Sequence, residues 1–249
     1  MKALVTGASS GIGRDITREL LRLGWEVIVV ARRTDRLHAL KEEAPDRVQC
    51  VRCDLSRTEE CLKLHEVLQP QNIDMLVNCA GFGLCGFFDE TDLATEIKMI
   101  ETNVMAVHIL TKLFLKDFIA KDSGYILNVA SIAGFFSGPL MATYYATKNY
   151  VVSLTGAIRE ELKQRNSHVH ISAFCPGPVA TEFNEVAHVK FSTGPISSKT
   201  AAHKALGGVL KGKPVIVPSL KIKSLKFIRR LLPDTLITQM CYHFQKKKQ

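Results

Sequence analysis

This 249-residue chain lacks several features that define other protein classes. No apolar run reaches the roughly 18–20 residues that a bilayer-spanning helix needs. There is no Pro-, Gly- or Ser-rich linker and no internal repeat, so one domain spanning residues 1–249 is predicted. The opening residues, Met1–Thr6, are too few for the apolar core of a secretory signal before glycines begin, so we expect a cytoplasmic protein.

Acidic residues are almost absent from the C-terminal quarter. From residue 188 onward there are thirteen Lys or Arg and one acid, Asp234, which gives +12 against −3 for the remainder and a total of +9. Aromatic residues, 7% of the chain, do not alternate with these bases, so no nucleic-acid binding is expected.

Residues 219–249, here called the basic segment, carry apolar residues at helical spacing between their lysines and arginines. Pro233 divides this pattern into two predicted helices. Two interpretations stay open. One is peripheral contact with an anionic membrane surface, and the other is a helix packed over the substrate cleft or a subunit interface with its basic face in solvent.

The seven cysteines are an odd number, and they do not form a metal-binding pattern. Cys50-x-x-Cys53 has no second Cys or His pair at ligand spacing, so no metal site is predicted. Free thiols suit a reducing compartment.

Short apolar runs alternate with longer amphipathic stretches along most of the chain. The runs lack strict alternation, which indicates strands buried on both faces. Helical patterns between them predict an α/β fold with a doubly wound, mostly parallel sheet of seven strands and helices on both faces. The predicted strands are Ala3–Thr6, Val27–Ala31, Val48–Arg52, Met75–Asn78, Tyr125–Val129, Val169–Phe174 and Val215–Val217.

A glycine-rich turn follows the first predicted strand and begins the first predicted helix. Glycine permits positive φ and lets the backbone approach a ligand closely. Free N–H groups at a helix start, together with the helix dipole, favour a pyrophosphate. The predicted pyrophosphate-binding residues are Gly7, Ser9, Ser10, Gly11, Ile12 and Gly13.

The spacing of this turn, Thr6-Gly-x-x-x-Gly-x-Gly13, resembles the cofactor turn of the short-chain dehydrogenase/reductase family. The resemblance covers roughly residues 2–181 and implies a Rossmann-like fold, a nicotinamide dinucleotide, a carbonyl or alcohol substrate, and a homodimer or homotetramer. Further motifs of that family follow in order, and they are Asn78-Cys79-Ala80-Gly81, Asn103, Ser131, Tyr144-x-x-x-Lys148 and Pro176-Gly177-Pro178-x-x-Thr181.

Tyr144 and Lys148 are four residues apart, so a helix would place them on one face. An ammonium beside a phenol favours the phenolate, so we expect Lys148 to lower the pKa of Tyr144 toward the range that acid–base catalysis needs. Tyr145, three residues from Lys148, is a competing candidate. The family motif requires Tyr at minus four and therefore favours Tyr144, and the resemblance also implies that Lys148 contacts the nicotinamide ribose.

Two further polar residues are candidate catalytic residues. Ser131 follows a predicted strand, at the edge where open α/β sheets bind ligands, and its hydroxyl can hold a carbonyl oxygen. Capping of a helix is the alternative role for this serine. Asn103 falls in an apolar helical stretch, and the resemblance implies that it supports a water in a proton relay with Lys148.

Arg32 and Arg33 follow the second predicted strand, where NAD-specific sites usually have an acid. Arginine suits a 2′-phosphate, so NADP(H) is the predicted cofactor, although both side chains could simply cover a strand end. The resemblance implies further cofactor contacts. Asp54 and Leu55 are expected near adenine, and Asn78, Ala80 and Gly81 are expected to line the adenosine ribose and support the sheet. Val179 and Thr181 are expected to hold the carboxamide, and Pro176 and Gly177 are further expected cofactor contacts.

We therefore predict an NADP(H)-dependent oxidoreductase acting on a lipophilic ketone or alcohol, with residues 182–199 as a substrate loop before the last strand. Apolar residues line most ligand sites. A cofactor-binding sensor or scaffold without turnover is the alternative, and the complete Ser–Tyr–Lys–Asn set favours the enzyme. The candidate pocket residues are Phe82, Phe135, Phe136, Met141, Phe183 and Phe191.

Overall fold

Seven parallel strands form the main sheet of the computed structural model, which describes residues 1–187, 189, 194–219 and 232–246. The strands are β1 (Lys2–Thr6), β2 (Glu26–Ala31), β3 (Val48–Arg52), β4 (Met75–Asn78), β5 (Tyr125–Val129), β6 (His170–Phe174) and β9 (Val215–Ile216). Their spatial order is β3-β2-β1-β4-β5-β6-β9, and the predicted doubly wound α/β fold is confirmed.

Helices cover both faces of this sheet. The helices are α1 (Gly11–Arg22), α2 (Thr34–Glu43), α3 (Thr58–Leu68), α4 (Leu93–Ile100), α5 (Ala106–Ala120), α6 (Ala142–Gln164), α7 (Phe183–Val186), α8 (Ser198–Val209) and α9 (Asp234–Lys246). Their apolar sides pack in two clusters, with α1, α2 and α8 on one face of the sheet and α3, α5 and α6 on the other.

Successive residues of the central strands are buried on opposite faces, as the strand geometry requires. In β1, Ala3 and Val5 belong to one cluster and Leu4 to the other. In β4, Met75 and Val77 face one layer of helices, whereas Leu76 faces the second. Burial on both faces explains why these strands are continuously apolar.

The strand order reverses between β1 and β4, and this reversal opens a crevice at the carboxyl ends of the strands. Thr6 ties the two strands together there. Its Oγ1 donates to the carbonyl oxygen of Val77 over 3.2 Å and accepts from the backbone N–H groups of Cys79 and Ala80. The glycine turn that follows β1 therefore lies at the place where open α/β sheets bind ligands.

A second, two-stranded parallel sheet was not predicted. It pairs β7 (Val179–Ala180) with β8 (Ile196–Ser197), and strands of two residues are too short to leave a periodic signal. It brings together the two ends of the predicted substrate loop. Within that loop, α7 is a short helix, residues 188 and 190–193 lie outside the described residues, and residues 198–199 already belong to α8.

The basic segment is described only in part. Residues 220–231 and 247–249 lie outside the described residues, so the first of its two predicted helices and most of its bases are not covered. The second predicted helix is α9, which begins at Asp234 directly after Pro233. Within the described ranges, every helix is too short or too polar to cross a membrane.

We expect Leu76→Ala to destabilise the protein by about 2–5 kcal/mol, because Leu76 has no exposed surface and its truncation leaves a cavity between sheet and helices. Leu62→Ala on α3 is the matched control. Leu62 is 48% exposed, so its loss should change the free energy of unfolding by less than about 0.5 kcal/mol. Urea denaturation measures both variants, and equal losses would contradict this assignment of the core.

Candidate active site

The glycine turn after β1 has no room for side chains at its two ends. Gly7 has φ +66°, and a Cβ there would lie 2.7 Å from the Cα of Ala80. A Cβ on Gly13 would lie 2.4 Å from the carbonyl oxygen of Gly7. The first turn of α1 is thereby held close against the ends of β1 and β4, and its backbone N–H groups border the crevice.

A cavity of about 590 Å³ extends along the carboxyl ends of the strands, and we call it the strand-end cavity. It brings together residues from the glycine turn, the end of β2, and the loops after β3, β4, β5 and β6. The predicted site residues that line it are Gly7, Ser9, Ser10, Gly11, Ile12, Gly13, Arg32, Arg33, Asp54, Leu55, Ala80, Gly81, Ser131, Tyr144, Lys148, Pro176, Gly177, Val179 and Thr181.

Asn78 does not line this cavity as expected for a ribose contact, but it supports the sheet, which is the other role that the resemblance implies. Its side chain is buried inside the sheet, where Nδ2 donates to Asn128 Oδ1 over 2.8 Å and to Thr111 Oγ1 over 3.0 Å. Asn128 in turn donates to Thr155 Oγ1 on α6. The amide of Asn78 therefore joins β4 and β5 to the helices packed on them.

Asn103 is fully buried behind the cavity wall, on a π-helical turn (Glu101–Met105) that joins α4 to α5. Turns of this type recur at functional sites. The side-chain Oδ1 accepts from the N–H of Phe82, and Nδ2 donates to the carbonyl oxygen of Phe82 and to Thr147 Oγ1. Asn103 thus fixes the backbone of Phe82 in the loop after β4, and its side chain lies next to Gly81.

Ser131 and Tyr144, two of the candidate catalytic residues, lie next to each other in the cavity wall. Ser131 Oγ accepts from the N–H of Ala133 over 3.1 Å at the start of a 3₁₀ turn (Ile132–Phe135). Burial raises the pKa of Tyr144 to about 12, and a hydrogen bond with Ser131 opposes that rise. The expected lowering of this pKa is therefore reversed, because removal of the phenol from water outweighs every favourable interaction.

Lys148 lies one helical turn beyond Tyr144, as the spacing predicts. Its Nζ is 5.8 Å from the centre of the Tyr144 ring and donates to the carbonyl oxygen of Val129 over 3.0 Å. Burial lowers the pKa of Lys148 to about 8, with small opposing effects from Cys79 and Cys175. A buried ammonium with one carbonyl acceptor is a strained arrangement that packing must maintain.

Asn149 provides part of that packing. Its Nδ2 lies within hydrogen-bond distance of three carbonyl oxygens, those of Ala133, Phe136 and Tyr145, at 2.8–3.0 Å. A Cβ on Gly134 would lie 2.6 Å from the carbonyl oxygen of Lys148, so the 3₁₀ turn contacts α6 directly. The loop that carries Ser131 is thereby fixed against the helix that carries Tyr144.

Tyr145, the competing tyrosine, faces the C-terminal helix. Gln245 Nε2 donates to its Oη over 2.5 Å, and burial raises the pKa of Tyr145 strongly. The ring stands edge-on to that of Tyr144, with centroids 6.1 Å apart. Both tyrosines line the strand-end cavity, Tyr144 beside Ser131 and Tyr145 beneath α9.

Charged side chains surround the end of the cavity near β2. The two Nη atoms of Arg33 donate to Ser9 Oγ and Ser10 Oγ over 3.2 Å and to Glu182 over 3.0 Å. Arg36 also donates to Glu182 and lowers the pKa of its carboxyl group. Arg32 is exposed at the same rim. The sequence interpretation of these arginines did not include Glu182.

The wall of the cavity near Tyr144 differs in part from the prediction. Phe82, Met141 and Phe183 line it, with the Phe183 ring 5.3 Å from that of Tyr144. Phe135 and Phe136 do not. Both are buried in a separate apolar cluster with Ile237 of α9, so they are core residues. Phe191 lies outside the described residues.

Several residues that sequence reasoning missed also line the cavity. Phe244 and Gln245 reach it from α9, Asn184 from α7, and Lys98 from α4. The described part of the basic segment therefore covers the cavity, which agrees with one of the two interpretations left open. The only available signal was the helical spacing of apolar residues in α9, which does not indicate where the helix docks.

Cys50 and Cys53 are free thiols that each contact a backbone carbonyl oxygen. Cys50 Sγ donates to the carbonyl oxygen of Leu37, and Cys53 Sγ to that of Glu60. Burial raises the pKa of Cys53 to about 12, so its thiol stays protonated. Among the residues that the structure describes, no three His, Cys, Asp or Glu side chains are grouped to hold a metal ion.

Comparisons with known proteins agree with this geometry. A family model described as short chain dehydrogenase matches residues 1–190. Farnesol dehydrogenase of Aedes aegypti is 33% identical over 193 residues, which cover 72% of this chain and 78% of that protein.

Two solved structures are similar over nearly the whole chain. A short-chain dehydrogenase from Sphingobium yanoikuyae, in complex with NADPH, has 27% identity and a TM-score of 0.83, covering 92% of this chain and 93% of its own. A short-chain dehydrogenase/reductase from Burkholderia phymatum, in complex with NAD, has 24% identity and a TM-score of 0.84, covering 92% of each chain. The second likeness shows the fold alone.

We expect Lys148→Met to stabilise the fold at about pH 7, by up to about 3 kcal/mol, because the buried ammonium is disfavoured there. Between a folded pKa of about 8 and the unfolded value near 10.5, the unfolded state holds more protons. Wild-type stability therefore rises with pH across that window, and the advantage of the variant should shrink.

Thermal unfolding of both proteins from about pH 7 to pH 10 measures this difference, since contributions common to both cancel. The matched control is Lys163→Met in the last turn of the same helix, where the lysine is exposed. Its effect should not depend on pH in this range. A constant difference for Lys148→Met would contradict the burial of its ammonium.

Proposed function

The chain belongs to the short-chain dehydrogenase/reductase family, and on this premise we propose that it is an NADP(H)-dependent oxidoreductase acting on a lipophilic carbonyl or alcohol. The observation that carries the proposal is the grouping of Ser131, Tyr144 and Lys148 at one wall of the strand-end cavity, beside the glycine turn. Family membership supports a nicotinamide cofactor, and the choice of NADP(H) rests on Arg33.

The residues present fit a dinucleotide. Gly7 and Gly13 form a cradle that a Cβ would fill, so the backbone N–H groups at the start of α1 are accessible to a pyrophosphate. Arg33, Ser9 and Ser10 supply clustered donors for a 2′-phosphate. Thr181 and Val179 also line the cavity, and the family resemblance assigns the carboxamide to them.

Bound NADPH would supply the hydride for reduction of the carbonyl carbon, and the chain's own residues handle the oxygen. The hydroxyls of Ser131 and Tyr144 would hold the carbonyl oxygen between them. With a pKa of about 12, Tyr144 is protonated at neutral pH, which is the state that a proton donor requires. Donation becomes favourable as negative charge develops on the substrate oxygen.

Lys148 and Asn103 support this step from behind the cavity wall. An ammonium 5.8 Å from the phenol ring favours the phenolate that remains after donation. The pKa of about 8 allows Lys148 to lose and regain a proton near neutral pH. Asn103 positions the Phe82 backbone at that wall.

The lipophilic substrate is supported by the cavity wall around Tyr144. Phe82, Met141, Phe183 and Phe244 contribute apolar surface to it, as is typical of ligand sites. The similarity to a farnesol dehydrogenase supports the same class of substrate.

We also propose that the enzyme is a cytoplasmic homodimer or homotetramer. Leu93, Ile97 and Ile100 recur at helical spacing on α4 and are 69%, 47% and 42% exposed, which is typical of a face that pairs with another subunit. Membrane contact by the basic segment rests on lysines and arginines outside the described residues and stays a prediction.

We expect Tyr144→Phe to lower kcat for ketone reduction by about 10²–10⁴, because the proton donor is lost, while the Kd for NADPH changes by less than about threefold. Tyr145→Phe is the matched control and should keep most of the activity, since its hydroxyl contacts Gln245 and not the reacting group. NADPH oxidation with a panel of hydrophobic ketones measures both.

Similar rates for Tyr144→Phe and the wild type would contradict the assignment of the proton donor. Binding of NADPH by the wild type without turnover on a broad panel would instead favour a sensor or scaffold.

We expect Arg33→Gln to raise the Kd for NADPH about tenfold or more and to leave the Kd for NADH within about twofold. The reason is that, among the groups of the dinucleotide, the guanidinium would contact only the 2′-phosphate, which NADH lacks. Fluorescence titration of each cofactor measures the two constants. Arg22→Gln, an exposed arginine paired with Glu19 on α1, should change neither constant. A strong preference of the wild type for NADH would contradict the choice of cofactor.

A further inference from the structure

The carboxylate of Glu182 lies between two guanidiniums at the end of the strand-end cavity near β2. Arg33 Nη1 donates to its Oε2 over 3.0 Å, and Arg36 Nη1 donates to its Oε1. The two arginines belong to the start of α2, whereas Glu182 immediately precedes α7 in the substrate loop, 149 residues away from Arg33 in sequence. This ion pair therefore connects two distant segments across the cavity.

Arg33 has other partners that point to an anion site. Its Nη2 donates to the hydroxyls of Ser9 and Ser10 in the glycine turn. Arg33, Ser9, Ser10 and Glu182 all line the cavity, and the side chains of Arg33 and Glu182 are 45% and 38% exposed. The group is thus accessible to a ligand, and it contains one anion that belongs to the protein itself.

Glu182 is an unusual neighbour for a phosphate. A carboxylate and a 2′-phosphate both accept hydrogen bonds from the paired N–H donors of Arg33. The two anions also repel each other at contact distance. A dinucleotide that carries a free 2′-hydroxyl brings no such charge. Only the phosphorylated cofactor therefore requires that Glu182 give up its bond with Arg33.

On the premise of the proposed function, we propose that Glu182 is a specificity-determining residue that competes with the 2′-phosphate of NADP(H) for Arg33. Arg36 offers the displaced carboxylate a second guanidinium, so the exchange does not leave Glu182 without a partner. Glu182 reduces the affinity for 2′-phosphorylated dinucleotides and leaves the affinity for NAD(H) unaffected.

The test is to titrate NADPH and NADH into Glu182→Gln and to follow nicotinamide fluorescence. Glutamine keeps the size of the side chain and removes its charge. We expect the Kd for NADPH to fall about fivefold or more and the Kd for NADH to stay within about twofold. An unchanged or weaker affinity for NADPH, or an equal change for both cofactors, would overturn the proposal.

Glu185→Gln provides the matched control, because it makes the same charge change three residues further on, at an exposed position of α7. Neither Kd should change by more than about twofold. An equal gain in NADPH affinity from Glu185→Gln would show a general effect of net charge and would overturn the specific role of Glu182.

A double-variant cycle tests whether the effect passes through Arg33. In an Arg33→Gln background, Glu182→Gln should change the Kd for NADPH by less than about twofold, because Arg33, the guanidinium for which the two anions compete, is absent. A full gain in that background would overturn competition. If the wild type binds neither dinucleotide, the proposed function fails, whereas binding of both with an unchanged ratio in Glu182→Gln refutes only this inference.

Discussion

The burial of one lysine ammonium is the constraint on which the candidate site depends. Lys148 Nζ has its carbonyl acceptor at the last residue of β5, and this fixes the distance between that strand end and α6. Asn149, the next residue, holds the turn after β5 against the same helix through three carbonyl oxygens. Ser131 and Tyr144 lie on these two elements, so the packing that tolerates a buried charge also sets the relative position of their two hydroxyl groups.

Most of the fold and the centre of the site could be predicted because their signals are local. Each strand of the main sheet is a short apolar run, and the glycine turn, Ser131 and the Tyr144–Lys148 pair each lie within a few residues of a predicted strand end or on one helical turn. Parallel topology then brings these separate motifs to one edge of the sheet, although they are up to about 140 residues apart.

The rest depends on contacts between distant segments and on burial, which no local pattern reports. Gln245 meets Tyr145 across 100 residues, and Glu182 meets Arg33 across 149. Phe135 has the composition expected of a pocket residue but lies in the core, because α9 brings Ile237 against it. The pKa of Tyr144 moves opposite to expectation for the same reason, since desolvation is a property of the folded neighbourhood.

The C-terminal helix α9 packs against the rest of the protein along one side only. Its inner residues Ile237 and Gln245 are buried against α6 and the turn after β5, while Leu236 and Met240 on its other side face solvent. The residues proposed for catalysis and for dinucleotide binding come from segments that end by residue 181, whereas α9 adds Phe244 and Gln245 to the cavity wall. In the proposed enzyme, changes confined to the last residues of the chain would therefore alter which substrate fits beside Tyr144, while the residues assigned to hydride transfer stay the same.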